Sequence, residues 1–204
     1  MLLDFYTART PNGMKVKIYL HEAKIAYREI GLNLSAGEQH RPQYRRINPN
    51  GKIPAIVDHD AGITLFESGA ILTYLSAKTG VLQPVTLKEQ MQVQQWLHFQ
   101  IGGIGPMLGQ LWWFLHGSTT GNREAIDRYR TEALRLYEVV DRRLGQSSYL
   151  ATGGFSIADI AAYSWLRTWE ELELDISSFD ALQTWLKKID QRQSVCEVLK
   201  SDQT

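Results

Sequence analysis

The first part of the chain alternates between short apolar runs and polar turns. Leu2 to Tyr6 is an apolar run, and the TPNG segment from Thr10 to Gly13 predicts a helix start with Thr10 as N-cap and a proline at the first helical position. Apolar residues then recur at helical spacing at Val16, Tyr19, Leu20 and Ala23. The alternating residues Ile30, Leu32 and Leu34 predict a second strand. The pattern as a whole predicts a strand, a helix and a strand.

A hairpin and a helix follow in the predicted order. Asn48 to Gly51 is a turn cluster, and two strands are predicted after it, over Ile53 to Val57 and over Ile63 to Phe66. The apolar run that begins at Ser68 predicts a helix that ends at Gly80. Two successive units, βαβ and ββα, therefore predict an α/β domain with one mixed sheet.

Beyond Pro84 the pattern is helical throughout. Residues 88–115 form a long amphipathic stretch that its glycines and Pro106 must bend or interrupt. A helix of about six turns is predicted from Ile126 to Leu144. Ser156 and Asp159 match a variant capping box that opens a helix through Leu172, and a last helical pair covers residues 179–200.

These patterns predict a fold that is α/β plus all-α. The expected domains are residues 1–82 for the α/β layer and residues 88–204 for a helical bundle, with residues 83–87 (QPVTL) as the linker.

The composition indicates a cellular compartment and a weak preference for the charge of the ligand. The 22 basic and 22 acidic side chains cancel, which argues against nucleic-acid and anionic-membrane binding. Residues 1–84 carry 10 basic and 7 acidic side chains, so this half would favour a small anionic ligand. Cys196 is the only cysteine, so no disulfide within the chain is possible. The early Asp4 argues against a signal peptide, and no apolar run is long enough to span a membrane. The expectation is a soluble, cytoplasmic protein.

Four motifs resemble those of a known family. Residues 48–58 (NPNGKIPAIVD) and 65–71 (LFESGAI) resemble the glutathione-binding half of the cytosolic glutathione transferases. Within that superfamily, residues 10–13 (TPNG) and 100–110 (QIGGIGPMLGQ) are similar to the bacterial Nu class. The resemblance covers the whole chain. It implies a thioredoxin-like first domain and a glutathione-dependent disulfide-bond reductase, with weak peroxidase activity as a secondary expectation.

Five residues are expected to bind glutathione on the first domain. Glu67 and Ser68 stand where a strand gives way to a helix, so free N–H groups and the helix dipole there can hold the γ-glutamyl carboxylate, while Glu67 meets the ammonium. The resemblance implies a cis peptide before Pro54, which would let the Ile53 backbone pair with the cysteinyl part. Lys52 could neutralise the glycyl carboxylate, and Gln39 could hydrogen-bond it.

The reaction is expected at the start of the first helix. A hydroxyl donor and a helix N-terminus would lower the pKa of a thiol there. The resemblance assigns this place to Thr10 and Asn12, with Asn12 also binding glutathione. Tyr6 is a rival, because other classes use a tyrosine nearby, but it also fits as a core aromatic on the first strand. Thr10 is alternatively a simple N-cap whose hydroxyl is occupied by backbone N–H groups.

The chain has no cysteine at this helix start. Cys196 is on the predicted terminal helix, where a structural role is expected. Thiol-disulfide exchange must then use two glutathione molecules, or one glutathione disulfide, per site. The resemblance further implies a homodimer in which Arg128 reaches the glutathione carboxylates of the neighbouring subunit, although by itself it is a typical solvated charge on a helix.

Two other groups of side chains, an aromatic cluster and the histidines, are candidates for a functional site. An aromatic cluster after Gly109 suggests either a wall for an apolar co-substrate or ordinary helix core, and consists of Trp112, Trp113, Phe114 and His116. The histidines show no paired metal-ligand spacing, so no metal is expected.

Two further functions remain open at this point. One is a glutathione transferase that conjugates one glutathione to a small electrophile beside Trp112 and Trp113. The other is a transferase-fold binding or regulatory module without catalysis, which would be expected to have lost the ligand-binding residues. Gln39, Ile53, Glu67 and Ser68 all match the family pattern, which disfavours that module.

Overall fold

The computed structural model describes residues 2–151 and 154–201. The outer limits of the two expected domains, residues 1 and 204, lie outside them. By internal contacts the chain divides into two compact units, residues 1–81 with 192–204 and residues 82–191. The C-terminal helix thus belongs with the first unit, while the division into domains at residues 82–88 stays a prediction.

The first unit contains a four-stranded mixed sheet in the order β2-β1-β3-β4. Its strands are β1 (Leu3–Thr7), β2 (Arg28–Gly31), β3 (Ala55–Asp58) and β4 (Ile63–Phe66). β1 is parallel to β2 and antiparallel to β3, and β3 is antiparallel to β4. The helices are α1 (Pro11–Glu22), α2 (Pro42–Arg45), α3 (Ser68–Thr79) and the terminal α9 (Gln193–Ser201), with a short 3-10 turn at Glu38–His40.

The core of this unit lies between the sheet and its helices. α1 packs against α3 and α9, and α3 also contacts β3 and β4. The side chains at its centre are at most 1% exposed and include Phe5, Val16, Tyr19, Ile56, Ile71 and Leu75. Val16, Tyr19 and Leu20, three of the four apolar positions predicted for α1, therefore lie on its buried face, while Ala23 is the half-buried C-cap.

The second unit is helical. Its helices are α4 (Leu87–Phe99), α5 (Gly105–Trp112), α6 (Arg123–Leu144), α7 (Ile157–Leu166) and α8 (Asp180–Asp190). π-helical segments follow α4 at Gln100–Ile104 and α5 at Trp113–Gly117. Tyr137, Ile160, Tyr163, Leu166 and Leu182 are fully buried in its core. The α/β plus all-α fold predicted from the sequence is confirmed.

Several predicted boundaries move by a few residues. β2 ends at Gly31 rather than Leu34, because Asn33 begins a turn in which its Oδ1 accepts from Ser35 and Ala36. β3 begins at Ala55 rather than Ile53, since Pro54 has no N–H to donate to a neighbouring strand.

The helices of the second unit differ more. The stretch over residues 88–115 stays helical, and the bend expected from its glycines and Pro106 takes the form of a π-helical turn that accommodates the missing N–H. α7 ends at Leu166 instead of Leu172. The chain continues in turns that include Glu173 with a φ of 53°.

Candidate functional site

The register of the sheet brings three chain segments to one edge. Tyr6 on β1 lies opposite Ala55 on β3, and Ala55 lies opposite Phe66 on β4. The residues directly beyond these positions are Thr7 to Thr10, the dipeptide before Ala55, and Glu67 with Ser68. The segments predicted to bind the thiol, the cysteinyl backbone and the γ-glutamyl group therefore leave the sheet at the same edge.

The first turn of α1 is built around a close backbone approach. Thr10 is the N-cap, and its Oγ1 accepts a hydrogen bond from the Gly13 N–H at 3.2 Å. A Cβ on Gly13 would lie 2.3 Å from Thr7 Oγ1 and 2.5 Å from the Ala8 carbonyl oxygen. No other residue type fits here without movement, so Gly13 allows α1 to start directly against the end of β1.

Thr10 and Asn12 are therefore held on a rigid helix start. The capping bond uses Thr10 Oγ1 as an acceptor, which leaves the hydroxyl hydrogen able to donate to a thiolate. Asn12 is the second residue of α1 and is half-buried. The first turn of α1 contains no acidic side chain, so the positive end of its dipole is not neutralised there. This environment stabilises a thiolate.

Tyr6 has a packing role in the structure. It lies on β1 with its ring 5.8 Å from that of Tyr44, and burial raises the pKa of its hydroxyl. A raised pKa keeps the phenol neutral at physiological pH. Packing and charge thus agree with the interpretation of Tyr6 as an aromatic of the first strand.

The segment before β3 is anchored through its carbonyl groups. The Ile53-Pro54 peptide is cis. The Lys52 carbonyl accepts from the Tyr44 hydroxyl and from Asn48 Nδ2, both at 2.6 Å. Burial raises the pKa of Tyr44 to about 12, so it remains a hydrogen-bond donor. The Lys52 side chain stays exposed, as a contact with a ligand carboxylate requires.

Gln39 lies beside this segment. A Cβ on Gly51, which has a φ of +63°, would be 3.1 Å from the Gln39 carbonyl oxygen. Gln39 Nε2 donates to the Leu34 carbonyl at 3.3 Å. Its Oε1 is buried, and no described residue donates a hydrogen bond to it. Gln39 is thus adjacent to the Gly51-Lys52 dipeptide, with its amide nitrogen already engaged.

The start of α3 combines free donors with a strained residue. Glu67 is its N-cap and has φ 68° and ψ 113°, a conformation that L-residues rarely adopt. Ser68 is only 7% exposed, and the first turn of α3 has no acidic side chain. Glu67 and the first turn of α3 follow β4 directly and therefore lie at the same edge of the sheet as Thr10.

Lys15 is a residue that the sequence analysis missed. It lies on α1, is 2% exposed, and donates from Nζ to Ser68 Oγ at 3.3 Å. Burial lowers its pKa to about 7, against the opposing effect of the Glu67 carboxylate. The available signal was its place directly before Val16 on the apolar face of α1, but spacing alone does not distinguish a buried lysine from one at the border of that face.

The predicted residues of the second unit lie on its surface. Arg128 is exposed on α6, and its charge, after the hydrogen bond from Arg135, contributes to lowering the pKa of Glu132 on the same helix. Trp112 and Trp113 are 40% and 49% exposed, so the structure excludes them from the core. Trp112 Nε1 donates to Glu171 Oε1 at 2.5 Å, and the backbone oxygen of Glu171 lies 2.9 Å from His116 Nε2. Phe114 is half-buried, with its ring stacked on that of Tyr129.

A cavity of about 370 Å³ opens beside α1 on the β2 side. Thr10 lines it, but Lys52, Ile53, Glu67 and Ser68 do not. The cavity therefore meets the edge of the predicted glutathione-binding segments only at the end of β1, where Thr7 to Thr10 line it, and does not extend to the segments before β3 and after β4.

Two kinds of site are not found among residues 2–151 and 154–201. No helix there is both long and apolar enough to cross a membrane. The same residues contain no group of three or more histidine, cysteine or acidic side chains arranged to hold a metal ion.

An α/β unit with a ligand-binding edge and a separate helical unit define the architecture of a glutathione transferase. Residues 1–77 match the family model of the glutathione S-transferase N-terminal domain, and residues 104–193 match that of the C-terminal domain. The chain belongs to the glutathione S-transferase family.

The relatives include a curated bacterial enzyme. The chain is 43% identical over 203 residues to the disulfide-bond oxidoreductase YfcG of Escherichia coli K12, which covers 97% of this chain and 94% of that protein.

Solved structures with bound glutathione are also similar. A glutathione transferase from Pseudomonas putida, with one glutathione disulfide per subunit, has a TM-score of 0.92 and 38% identity and covers 97% of this chain and 90% of that one. A homologue from Lodderomyces elongisporus, with two glutathione molecules per subunit, has a TM-score of 0.94 and 29% identity over 98% and 99% of the two chains.

Proposed function

We propose that this protein is a glutathione-dependent disulfide-bond reductase of the bacterial Nu class. The observation that carries the proposal is the composition of the α1 start, where Thr10 and Asn12 are present and cysteine is absent, while Cys196 lies on α9. Thiol-disulfide exchange needs two thiols, so both must come from glutathione. The bound glutathione disulfide and the paired glutathione molecules of the similar structures support this stoichiometry.

The protein binds glutathione along the sheet edge. The N–H groups at the start of α3 and the Ser68 hydroxyl take the γ-glutamyl carboxylate, and Glu67 takes its ammonium. The Ile53 backbone pairs with the cysteinyl part. Lys52 takes the glycyl carboxylate, to which Gln39 would donate the second hydrogen of its Nε2. This arrangement would place the sulfur at the start of α1, where Thr10 and Asn12 stabilise the thiolate.

The reaction proceeds in two exchanges. The thiolate of one glutathione attacks a sulfur of the substrate disulfide, the S–S bond breaks, and one substrate thiolate leaves and takes a proton. The thiolate of a second glutathione attacks the glutathione sulfur of the mixed disulfide, which releases the other substrate thiol. Two glutathione molecules become one glutathione disulfide, and the substrate disulfide is reduced to two thiols. The protein contributes by lowering the thiol pKa and by holding the sulfurs together.

The complete site is proposed to need a homodimer. Arg128, which is exposed on α6, would reach across from the other subunit to the glutathione carboxylates. Arg128→Ala should weaken glutathione binding by about 1–3 kcal/mol in isothermal titration calorimetry. Unchanged affinity would show that Arg128 is an ordinary solvated surface residue that does not contact glutathione. The single cysteine supports a cytoplasmic location.

Conjugation of glutathione to a small electrophile is the second candidate. The exposed rings of Trp112 and Trp113 favour it, because exposed aromatic side chains can contact an apolar co-substrate. Conjugation uses one glutathione per turnover, whereas disulfide reduction uses two.

The test compares the two reactions directly. Purified protein and its Cys196→Ser variant should be assayed for glutathione-dependent reduction of 2-hydroxyethyl disulfide and for conjugation of 1-chloro-2,4-dinitrobenzene. Disulfide reduction that persists in Cys196→Ser is the expected result. Conjugation without reduction would favour the transferase, and loss of reduction in the variant would contradict the use of glutathione thiols alone.

A further inference from the structure

The ammonium group of Lys15 lies directly behind the start of α3. It donates to Ser68 Oγ at 3.3 Å, and Lys15 and Ser68 are 2% and 7% exposed. An ammonium group carries only donors, so Ser68 Oγ is the acceptor in this bond. The hydroxyl hydrogen of Ser68 is then left to donate to another group.

A buried lysine is a costly way to fill this space. Methionine has a similar length and volume and would avoid the desolvation of a charge. A role in packing alone would therefore be served better by an apolar side chain. The charge of Lys15 interacts with Ser68 and Glu67, which are both at the α3 start, and this is the predicted carboxylate site.

We propose that Lys15 is a positioning residue for the α-carboxylate of the γ-glutamyl group. By donating to Ser68 Oγ it directs the Ser68 hydroxyl hydrogen toward that carboxylate, and it adds a fixed positive charge behind the α3 start. This inference rests on the proposed function, because it needs glutathione to be the ligand.

The charges around Lys15 agree with this role. Burial lowers its pKa to about 7, and the Glu67 carboxylate acts in the opposite direction. Other charged groups on the elements that pack against α1 have partners elsewhere. On α3, Lys78 pairs with Asp58. On α9, Glu197 pairs with His21 at the far end of α1 and also interacts with Lys200, while Arg192, directly before α9, pairs with Glu22. A carboxylate at the α3 start would therefore favour the protonated amine.

The test removes the charge from the protein and the carboxylate from the ligand in turn. Lys15→Met should be titrated calorimetrically with three S-methyl peptides, in which no thiol ionises or exchanges. These are S-methylglutathione, the glutaryl analogue that lacks only the ammonium, and the 4-aminobutyryl analogue that lacks only the α-carboxylate. We expect about 10- to 100-fold weaker binding of the first two and little change for the third.

Lys17→Met is the matched control. Lys17 lies on the same helix and pairs with Glu29 at 3.3 Å. Its loss should not discriminate among the three peptides. If Lys15→Met weakens all three equally, or weakens none, Lys15 has no positioning role and the inference is overturned while the proposed function stands. Failure of the wild-type protein to bind S-methylglutathione would overturn both.

A measurement on the wild-type protein tests the same inference without depending on the folding of the variant. Since Lys15 loses its charge as pH rises through its pKa of about 7, the preference for S-methylglutathione over the 4-aminobutyryl analogue should fall by about 10-fold between about pH 6 and about pH 8.5. A preference that stays constant across this range would overturn the inference.

Discussion

Gly13→Ala should separate the start of α1 from the end of β1. The added Cβ would lie 2.5 Å from the Ala8 carbonyl oxygen, and real Cβ atoms essentially never approach closer than 3.0 Å. The two backbones must therefore move apart by at least about 0.5 Å. Thr7 Oγ1, at 2.3 Å from the added atom, can relieve its own clash only by changing rotamer.

The expected effect on stability is small, and the effect on activity is large. Overpacking costs about 1–3 kcal/mol, while alanine in a helix gains about 1 kcal/mol over glycine, so a net loss of about 0–2 kcal/mol is expected. Displacement of Thr10 and Asn12 acts on the reacting sulfur directly. Because an error of about 1 Å can cost about 100-fold in rate, we expect kcat/KM to fall about 10- to 100-fold.

The assay pairs steady-state disulfide reduction with urea denaturation. Gly102→Ala is the control, since its added Cβ would meet no atom within 4 Å in a helical segment. This control should keep full activity and normal or slightly higher stability. Wild-type kcat/KM in Gly13→Ala would refute the reasoning, because the first turn of α1 would then tolerate a side chain without consequence for the site.

Three further predictions concern the site and the two units. Asn12→Ala should lower kcat more than it weakens glutathione binding, because the thiolate charge matters most in the reaction; equal losses in kinetics and calorimetry would contradict this. Asp159→Ala should cost about 3–5 kcal/mol in urea denaturation, because it leaves four buried donors unsatisfied, whereas Glu89→Ala at the exposed capping box of α4 should cost much less. Hydrogen bonds from Arg28 lower the pKa of Asp4, so Arg28→Ala should be slightly less stable than the wild-type protein at pH 7, and the difference should shrink below about pH 4 and vanish as pH falls through the lowered pKa of Asp4. A difference that persists in acid would assign the effect to packing of the Arg28 side chain.

Local sequence signals predicted the elements that carry the site. Thr10 and Pro11 mark the start of α1, because capping and proline preferences act within a single turn. The signals for the strand from Ile63 to Phe66 and for the helix end at Gly80 are also local. Gly80 ends the helix because it adopts a left-handed φ of 73°. The capping box of Ser156 and Asp159 was predicted for the same reason.

Features that depend on distant contacts were not predictable. The bond from Lys15 to Ser68 joins residues 53 positions apart, and helical spacing does not disclose such a partner. The end of α7 at Leu166 coincides with a buried bond from the Tyr137 hydroxyl to the Leu166 carbonyl, a tertiary contact without a local signal. The exposure of Trp112 likewise depends on what the fold leaves uncovered.

The arrangement of charge in the first unit explains how a neutral chain can bind an anionic tripeptide. Glutathione has two carboxylates, one ammonium and, when reactive, a thiolate. The sheet edge presents two helix N-termini, those of α1 and α3, and neither has an acidic residue in its first turn. Lys15 bridges these two helices through its hydrogen bond to Ser68, and in the proposed binding mode Glu67 would supply the one negative charge that an ammonium needs. Net charge therefore carries little information here, because recognition depends on fixed dipoles and single side chains placed at one edge of the sheet.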